Sequence, residues 1–286
     1  MDYSAMSQVR KSVRAFWDTP VPALTVDEIE TYFGRCKRLV PSIDVQMRIF
    51  ERDVKEKLEG TAGYQGFMIG APCYMVILSD EADHYIENAG FIAEDMILKM
   101  TELELSSCWI TFSDGEEVKK ALGIESGKRI GAIVAFGYGQ RTSKKIRLNI
   151  KSMSNIDINV EREYYSPKLS IDELVHIQKW GGKSTIEDIG DTDSALWRAL
   201  YAASLSPSYL NRQPYGFILD NGKVILVVKK DEHTDEVNEK LNIGIVMLHF
   251  SGVISQMLFN VDWHWGAPEQ DLGLPADCSA VAYCLV

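Results

Sequence analysis

The stretch "LYAASLSPSYLNRQPYGFIL", residues 200–219, runs small and apolar, breaks at Pro207, and returns as a strand through the polar "NRQPY". A plain turn between a helix and a core strand needs only one or two polar residues. Asn211, Arg212 and Gln213 place three extended hydrogen-bonding side chains there, which points to something outside the protein being held. The flanks set the architecture. "TDSALWRALYAASLS" (192–206) reads as a helix capped by Thr192 or Asp193. "YGFILDNGKVILVVKK" reads as two strands joined at Asn221-Gly222, a strong short hairpin signal.

Working outward, "VNEKLNIGIVMLHFSGVISQMLF" (237–259) predicts a long helix with an apolar face, followed by the Trp-bearing "VDWHWG" and a terminal strand "SAVAYCLV" (279–286). The first half runs in the same order. "APCYMVILS" (71–79) reads as a buried strand and "YIENAGFIAEDMILKMTELEL" (85–105) as a long amphipathic helix. "SCWITF" follows as a short strand, "GEEVKKALG" as a short helix and "RIGAIVAFGYG" (129–139) as an apolar strand ended by glycines. Two more helical runs precede these, at 24–40 and in "VQMRIFERDVKEKL". Strand, long helix, Trp-bearing strand and apolar strand thus recur roughly 145 residues apart, which means duplication of a half-domain rather than a solenoid. The expected units are 1–140 and 186–286, joined by a polar crossover, 141–185, with one helical piece.

With 286 residues and 46% apolar content the chain can bury a sizeable core. A net charge of -11 and a pI near 5.0 argue against general binding to nucleic acid or an anionic membrane. The five cysteines, Cys36, Cys73, Cys108, Cys278 and Cys284, are widely spaced and form no CxxC, which reads as reduced thiols in a cytoplasmic protein. No export signal and no apolar run of membrane-spanning length is expected.

Against this acidic background two basic clusters stand out. "VRKSVRAF" (9–16) places Arg10, Lys11, Ser12 and Arg14 within five residues, with the two arginines on one face of a helix and Ser12 offering hydroxyl and amide to an anion. Arg141, Lys144, Lys145 and Arg147 form the second cluster, directly after a strand ending "GYGQ". Together they suit a bound phosphate.

"RKSVR", "PSYLNRQPY" after an Ala-rich helix, "LSSCWI" and "GYGQRTSKKIR" in one chain resemble the FMN-dependent nitroreductase family, over nearly the whole length. The resemblance implies an α+β fold of two similar α/β halves packed as an internal pseudo-dimer. It also implies that Arg10, Lys11, Ser12 and Arg14, with Lys144, Lys145 or Arg147, hold the FMN phosphate. Pro207, Ser208, Asn211 and Gln213 would lie along the ribityl chain and ring, and Phe112, Ser113, Asp114 and Gly115 near the flavin N5. Each half departs from the family pattern. "LVPSIDVQMRIF" (39–50) keeps Pro41 and Ser42 without Asn-x-Gln, and "GGKSTIED" keeps Lys183 and Ser184 without flanking arginines. One intact FMN site between the halves and one degenerate site follow from this.

The implied activity is electron transfer from NADH or NADPH through FMN to a nitroaromatic, quinone or similar electron-poor acceptor. No protein nucleophile or base is needed. His84, His249 and His264, with Trp263 and Trp265, read as packing or capping residues, and no GxGxxG supports a Rossmann domain. The alternatives are a flavin-storage protein without turnover and a duplicated structural domain that has lost FMN. The architecture suits a monomer, while the apolar face of helix 241–259 leaves a homodimer open.

Overall fold

The computed structural model describes residues 1–51, 53–63, 67–140, 145–152, 155–161, 167–183 and 194–286, with 145–152 and 155–161 as backbone. The first half is built on four antiparallel strands, β1 (Val45–Glu51), β2 (Cys73–Ser79), β3 (Ser106–Ile110) and β4 (Arg129–Gly137), in the order β1-β2-β4-β3. β2 is buried at every position because both faces of the sheet are covered. Its side chains alternate between the two cores, as the two-residue period of a strand requires. Met75 and Ile77 pack with Ile92, Met96 and Phe136, while Tyr74, Val76 and Leu78 pack with Val54, Leu58, Val118 and Leu122. The helices covering this sheet are α1 (Tyr3–Val9), α2 (Ala23–Phe33), α3 (Val54–Leu58), α4 (Tyr85–Glu102) and α5 (Gly115–Leu122).

A hairpin of β5 (Lys145–Ser152) and β6 (Asn155–Glu161) forms a separate two-stranded sheet. The second half then follows with α6 (Ile171–Leu174), β7 (Val175–Ile177), α7 (Ala195–Ser204), β8 (Tyr215–Asp220), β9 (Lys223–Lys229), α8 (Glu236–Met257), β10 (His264–Trp265) and β11 (Cys278–Leu285). Its sheet order is β10-β11-β9-β8-β7, with β7 parallel to β8 and all other pairs antiparallel. Taken from the other edge, β8-β9-β11-β10 repeats β1-β2-β4-β3, and each long helix joins the second strand to the third. Two similar halves therefore sit within one chain. The β8–β9 turn has Asn221 at φ 48° and Gly222 at φ 73°, the pair of left-handed residues that a type I′ turn needs.

The halves meet through α4 and α8, both buried along most of their length. Their backbones come so close that a Cβ on Gly90 would lie 2.7 Å from the Leu241 carbonyl oxygen, and one on Gly244 would overlap the Glu87 carbonyl. The two contacts are reciprocal, with Gly244 three residues after Leu241 and Gly90 three residues after Glu87, the relation expected about a local two-fold axis that equates the two glycines. The apolar face of 241–259, which left a homodimer open, is buried over Leu241–Ile254 against α4, α7 and α1.

Three local expectations change. "VQMRIFE" is strand β1, not helix, because Val45–Glu51 pairs residue by residue with β2 from Ser79 to Cys73. The 24–40 helix stops at Phe33, where Gly34 follows. α7 is capped by Ser194, whose side chain accepts from Trp197 N–H, and Thr192 and Asp193 lie outside the described residues.

Candidate functional site

α1 starts on an Asp2 cap and ends at Val9, so Arg10 to Arg14 are not helical as expected. The chain instead runs extended along the ends of β3 and β4. Val13 N–H donates to Ser107 O at 2.9 Å, Trp17 N–H to Tyr138 O at 2.8 Å, and Gln140 N–H to Ala15 O at 2.8 Å. Ser12 forms a bridge with Ser107, and Phe16 with Gly139. Alternate residues of an extended chain share a side, so Arg10, Ser12 and Arg14 remain grouped by a different geometry. Arg10 Nη1 lies 3.5 Å from Ser12 Oγ, and Lys11, Ser12 and Arg14 are exposed. Gln140, the last described residue before the second basic run, is tied to this strand by its backbone and by Nε2, which donates to Phe16 O at 2.8 Å.

Arg10 turns inward. Its Nε lies 3.4 Å from Glu94 Oε1, in a pair whose side chains are 7% and 0% exposed. Glu94 also accepts from Trp109 Nε1 at 2.9 Å and faces His249 Nε2 at 3.0 Å. Burial drives the His249 pKa down while Glu94 opposes it. Ser7 Oγ lies 2.8 Å from His249 Nδ1 and 2.7 Å from Tyr3 O, so its single proton serves one of the two. This network joins Arg10 and α4 of the first half to α8 of the second. His84 stacks on Trp265 with ring centres 3.6 Å apart, and His264 on Tyr283, which agrees with packing roles.

The second-half motif lies against the same seam. Ser206 Oγ pairs with Tyr215 OH at 2.6 Å, and the Tyr215 hydroxyl, raised by burial to about 12, feels both Glu94 and Arg10. Ser208 Oγ accepts from Gln213 N–H at 2.8 Å, and Tyr209 N–H donates to Asn242 Oδ1 at 3.0 Å. Leu210, Asn211 and Gln213 all have positive φ, so this loop is tightly coiled.

The three polar side chains of 211–213 each have a partner inside the protein. Gln213 is 3% exposed; its Nε2 donates to Ser204 O at 2.7 Å and its Oε1 accepts from Leu169 N–H at 2.9 Å. Asn211 Nδ2 donates to Pro167 O at 2.7 Å. Arg212 pairs with Asp231 through Nη2 at 2.8 Å and Nε at 3.2 Å. These contacts bring in Lys168, which the sequence reading missed; its Nζ donates to Ser206 O at 2.8 Å.

Phe112 and Ser113 follow the far end of β3 from Ser12, with Phe112 bridged to Ala62 and half-buried, and Ser113 exposed. Asp114 accepts from Glu116 and Glu117 N–H as the cap of α5, which commits it to structure. Lys145 and Arg147 stand on β5, while Lys144, Arg141 and Ser184 lie outside the described residues. Lys183 bridges His176 on β7, the edge of the second sheet opposite β10. Among the described residues there is no metal-ligating cluster, and no helix is long and apolar enough to cross a membrane.

Residues 3–253 match the family described as "Putative TM nitroreductase". The crystal structure of a "putative nitroreductase" from Thermotoga maritima superposes over 100% of this chain and 93% of that one, with 16% identity and a TM-score of 0.60. An FMN-dependent nitroreductase from Clostridium difficile aligns with 50% of this chain and 90% of its own, at 23% identity and a TM-score of 0.42. A search of the curated proteins found no match.

Proposed function

Because the chain belongs to the nitroreductase family of flavin-linked oxidoreductases, we propose that it binds one FMN between its halves and reduces small electron-poor acceptors with NADH or NADPH. The observation that carries this reading is the approach, in a protein of net charge -11, of Arg10 on the basic strand of one half to Tyr215 and Lys168, both bonded to Ser206 at the head of the other half's loop. A phosphate dianion needs several cationic or amide donors. Arg10, Lys11, Ser12 and Arg14 offer these beside the start of β3, with Lys144, Lys145 and Arg147 as later partners. Phe112 and Ser113 flank the ring beyond the other end of β3. A five-residue strand measures roughly 17 Å, which suits a flavin mononucleotide laid out from phosphate to ring.

In this reading Pro207 and Ser208 line the path between the two ends, with Asn211 and Gln213 behind them, bonded to the crossover. FMN, when bound, supplies the electron chemistry, taking a hydride from the nicotinamide and passing electrons to a nitroaromatic or quinone. The protein's part is to bind, orient and shield. Glu94 fixes the Arg10 guanidinium, and the Pro207 loop closes the seam. The units 1–140 and 186–286, joined by 141–185, supply both sides of the site, so a single chain is sufficient. The five cysteines form no disulfide and four of them are buried, which suits a cytoplasmic home.

The test is an anaerobic visible spectrum before and after NADH or NADPH, with FMN determined per chain. About one FMN, bleached by either nucleotide, is the expected result. A yellow protein that neither nucleotide bleaches would leave a storage role. A colourless protein that takes up no FMN would remove the flavin reading.

A further inference from the structure

Asn211 and Gln213 spend hydrogen bonds on the backbone of residues 167–169: Pro167 O accepts from Asn211 Nδ2, and Leu169 N–H donates to Gln213 Oε1. Between those two tethers stands Lys168, held by its own bond from Nζ to Ser206 O. Three contacts therefore fix one lysine of the crossover against the loop that begins at Ser206. Its charged neighbours are Arg10, on the basic strand, and Glu94, on α4. His249 on α8 and Tyr215 on β8 belong to the same polar group.

The charges there do not balance. Two cations, Arg10 and Lys168, share one carboxylate, Glu94, while burial keeps His249 and Tyr215 neutral. An ammonium has three donors, and the described residues give that of Lys168 one acceptor, a backbone carbonyl. Burial and the repulsion of Arg10 push the Lys168 pKa down to about 8, against the pull of Glu94. A half-buried cation with spare donors, next to a second cation, is a place for an anion.

We infer that Lys168 joins Arg10 in binding the phosphate of FMN, and that Asn211 and Gln213 are positioning residues that present it. The inference rests on the proposed FMN site and assigns the Asn-x-Gln amides an indirect role. They hold the crossover, and the crossover supplies the charge.

The experiment is titration of flavin-free protein with FMN and, separately, with riboflavin, which lacks the phosphate. Wild type is compared with Lys168→Met, Lys168→Arg, Asn211→Ala and the Asn211→Ala/Lys168→Met double variant. Loss of one charge-assisted contact predicts that Lys168→Met weakens FMN roughly tenfold to a hundredfold and leaves riboflavin within about twofold. Lys168→Arg keeps the charge and recovers most of the FMN affinity. If Asn211 acts through Lys168, its substitution weakens FMN by itself but adds nothing in the double variant. Equal loss for both flavins, no loss for either, or additive effects of the two substitutions would overturn the assignment while leaving FMN binding intact. Wild type that binds neither flavin would instead remove the proposed function, a result recognisable before any variant is made.

Discussion

Asn88 on α4 and Asn242 on α8 do the same work in the two halves. Each is almost wholly buried and uses Oδ1 to hold the start of a Pro-Ser loop, Asn88 through Leu39 and Val40 N–H at 3.0 Å, Asn242 through Tyr209 N–H at 3.0 Å. Beyond that point the halves diverge. The second-half loop coils through three residues of positive φ and ties itself to the crossover and to Lys168. The first-half loop passes from Pro41 straight into β1. The cationic partners differ as well. Arg10–Arg14 lies along the edge strand β3, whereas Lys183 lies along β7, four strand spacings or roughly 19 Å from β10, the strand equivalent to β3. Duplication has left two equal scaffolds, and the groups suited to a ligand gather at one seam between them.

The most damaging way to break this comparison is at the helix crossing both halves share. An alanine at Gly244 would drive its Cβ into the backbone of Glu87, and backbone inside a helix cannot step aside cheaply. Gly244→Ala should cost at least about 3 kcal/mol in urea unfolding. Gly127→Ala, where an added Cβ meets nothing within 4 Å, should stay within about 0.5 kcal/mol. A neutral Gly244→Ala would mean that α4 and α8 do not pack backbone to backbone, and the pseudo-dimer would lose its centre.

That crossing was only partly legible beforehand. The two long helices, the Asn221-Gly222 hairpin and the buried β2 and β4 follow from periodicity and turn chemistry. β1 did not, because Val45 and Ile49, four residues apart, share a face in a helix as well as in a strand, and only pairing with β2 decides between them. The β5–β6 hairpin could have been found, since Ile146, Leu148 and Ile150, then Ile156, Ile158 and Val160, alternate strictly. The candidate site was legible where its residues cluster in sequence, as in 10–14 and 207–213. Glu94 and Asp95, adjacent acids in the apolar "FIAEDMIL", were a visible signal of a buried polar network. Lys168 had none, for its position depends on bonds to residues more than thirty places away.

Those adjacent acids sharpen the comparison by a smaller amount. Glu94 faces Arg10 and His249, while Asp95 Oδ1 accepts from the phenols of Tyr3 and Tyr32 at 2.9 and 3.0 Å, Lys37 adds a weaker attraction, and Oδ2 is buried without a hydrogen-bond partner among the described residues. Burial therefore raises Asp95 from 3.8 to about 6. For a carboxyl raised in the folded state, the destabilisation is absent below the unfolded value and complete above the folded one, so this group's contribution worsens from pH 4 to 6. Tyr3→Phe removes one donor from the carboxylate and should cost about 2 kcal/mol at pH 7.5, shrinking toward pH 4.5, where Asp95 is neutral. Chemical unfolding at the two pH values measures this. A cost independent of pH would show that the Tyr3 hydroxyl does not act through the charge of Asp95.

The smallest expected effect separates the arginines of the two motifs. Arg10 and Arg212 each pair with a carboxylate, but the Arg10 side chain is 7% exposed and its pair stands at the seam, whereas Arg212 is 47% exposed and its pair with Asp231 lies within the second half. An exposed ion pair contributes little, even with two contacts, because water already solvates the guanidinium. Thr234 Oγ1 would still donate to Asp231 at 2.6 Å if Arg212 were absent. Arg212→Ala should therefore cost no more than about 1 kcal/mol and leave FMN affinity unchanged, as read by unfolding and by flavin titration. Of the three polar residues that interrupt the 200–219 stretch, two would then serve the ligand through the crossover and one would only brace its own half. Weaker FMN binding in Arg212→Ala would place the guanidinium at the ligand and return the whole "NRQ" run to direct contact.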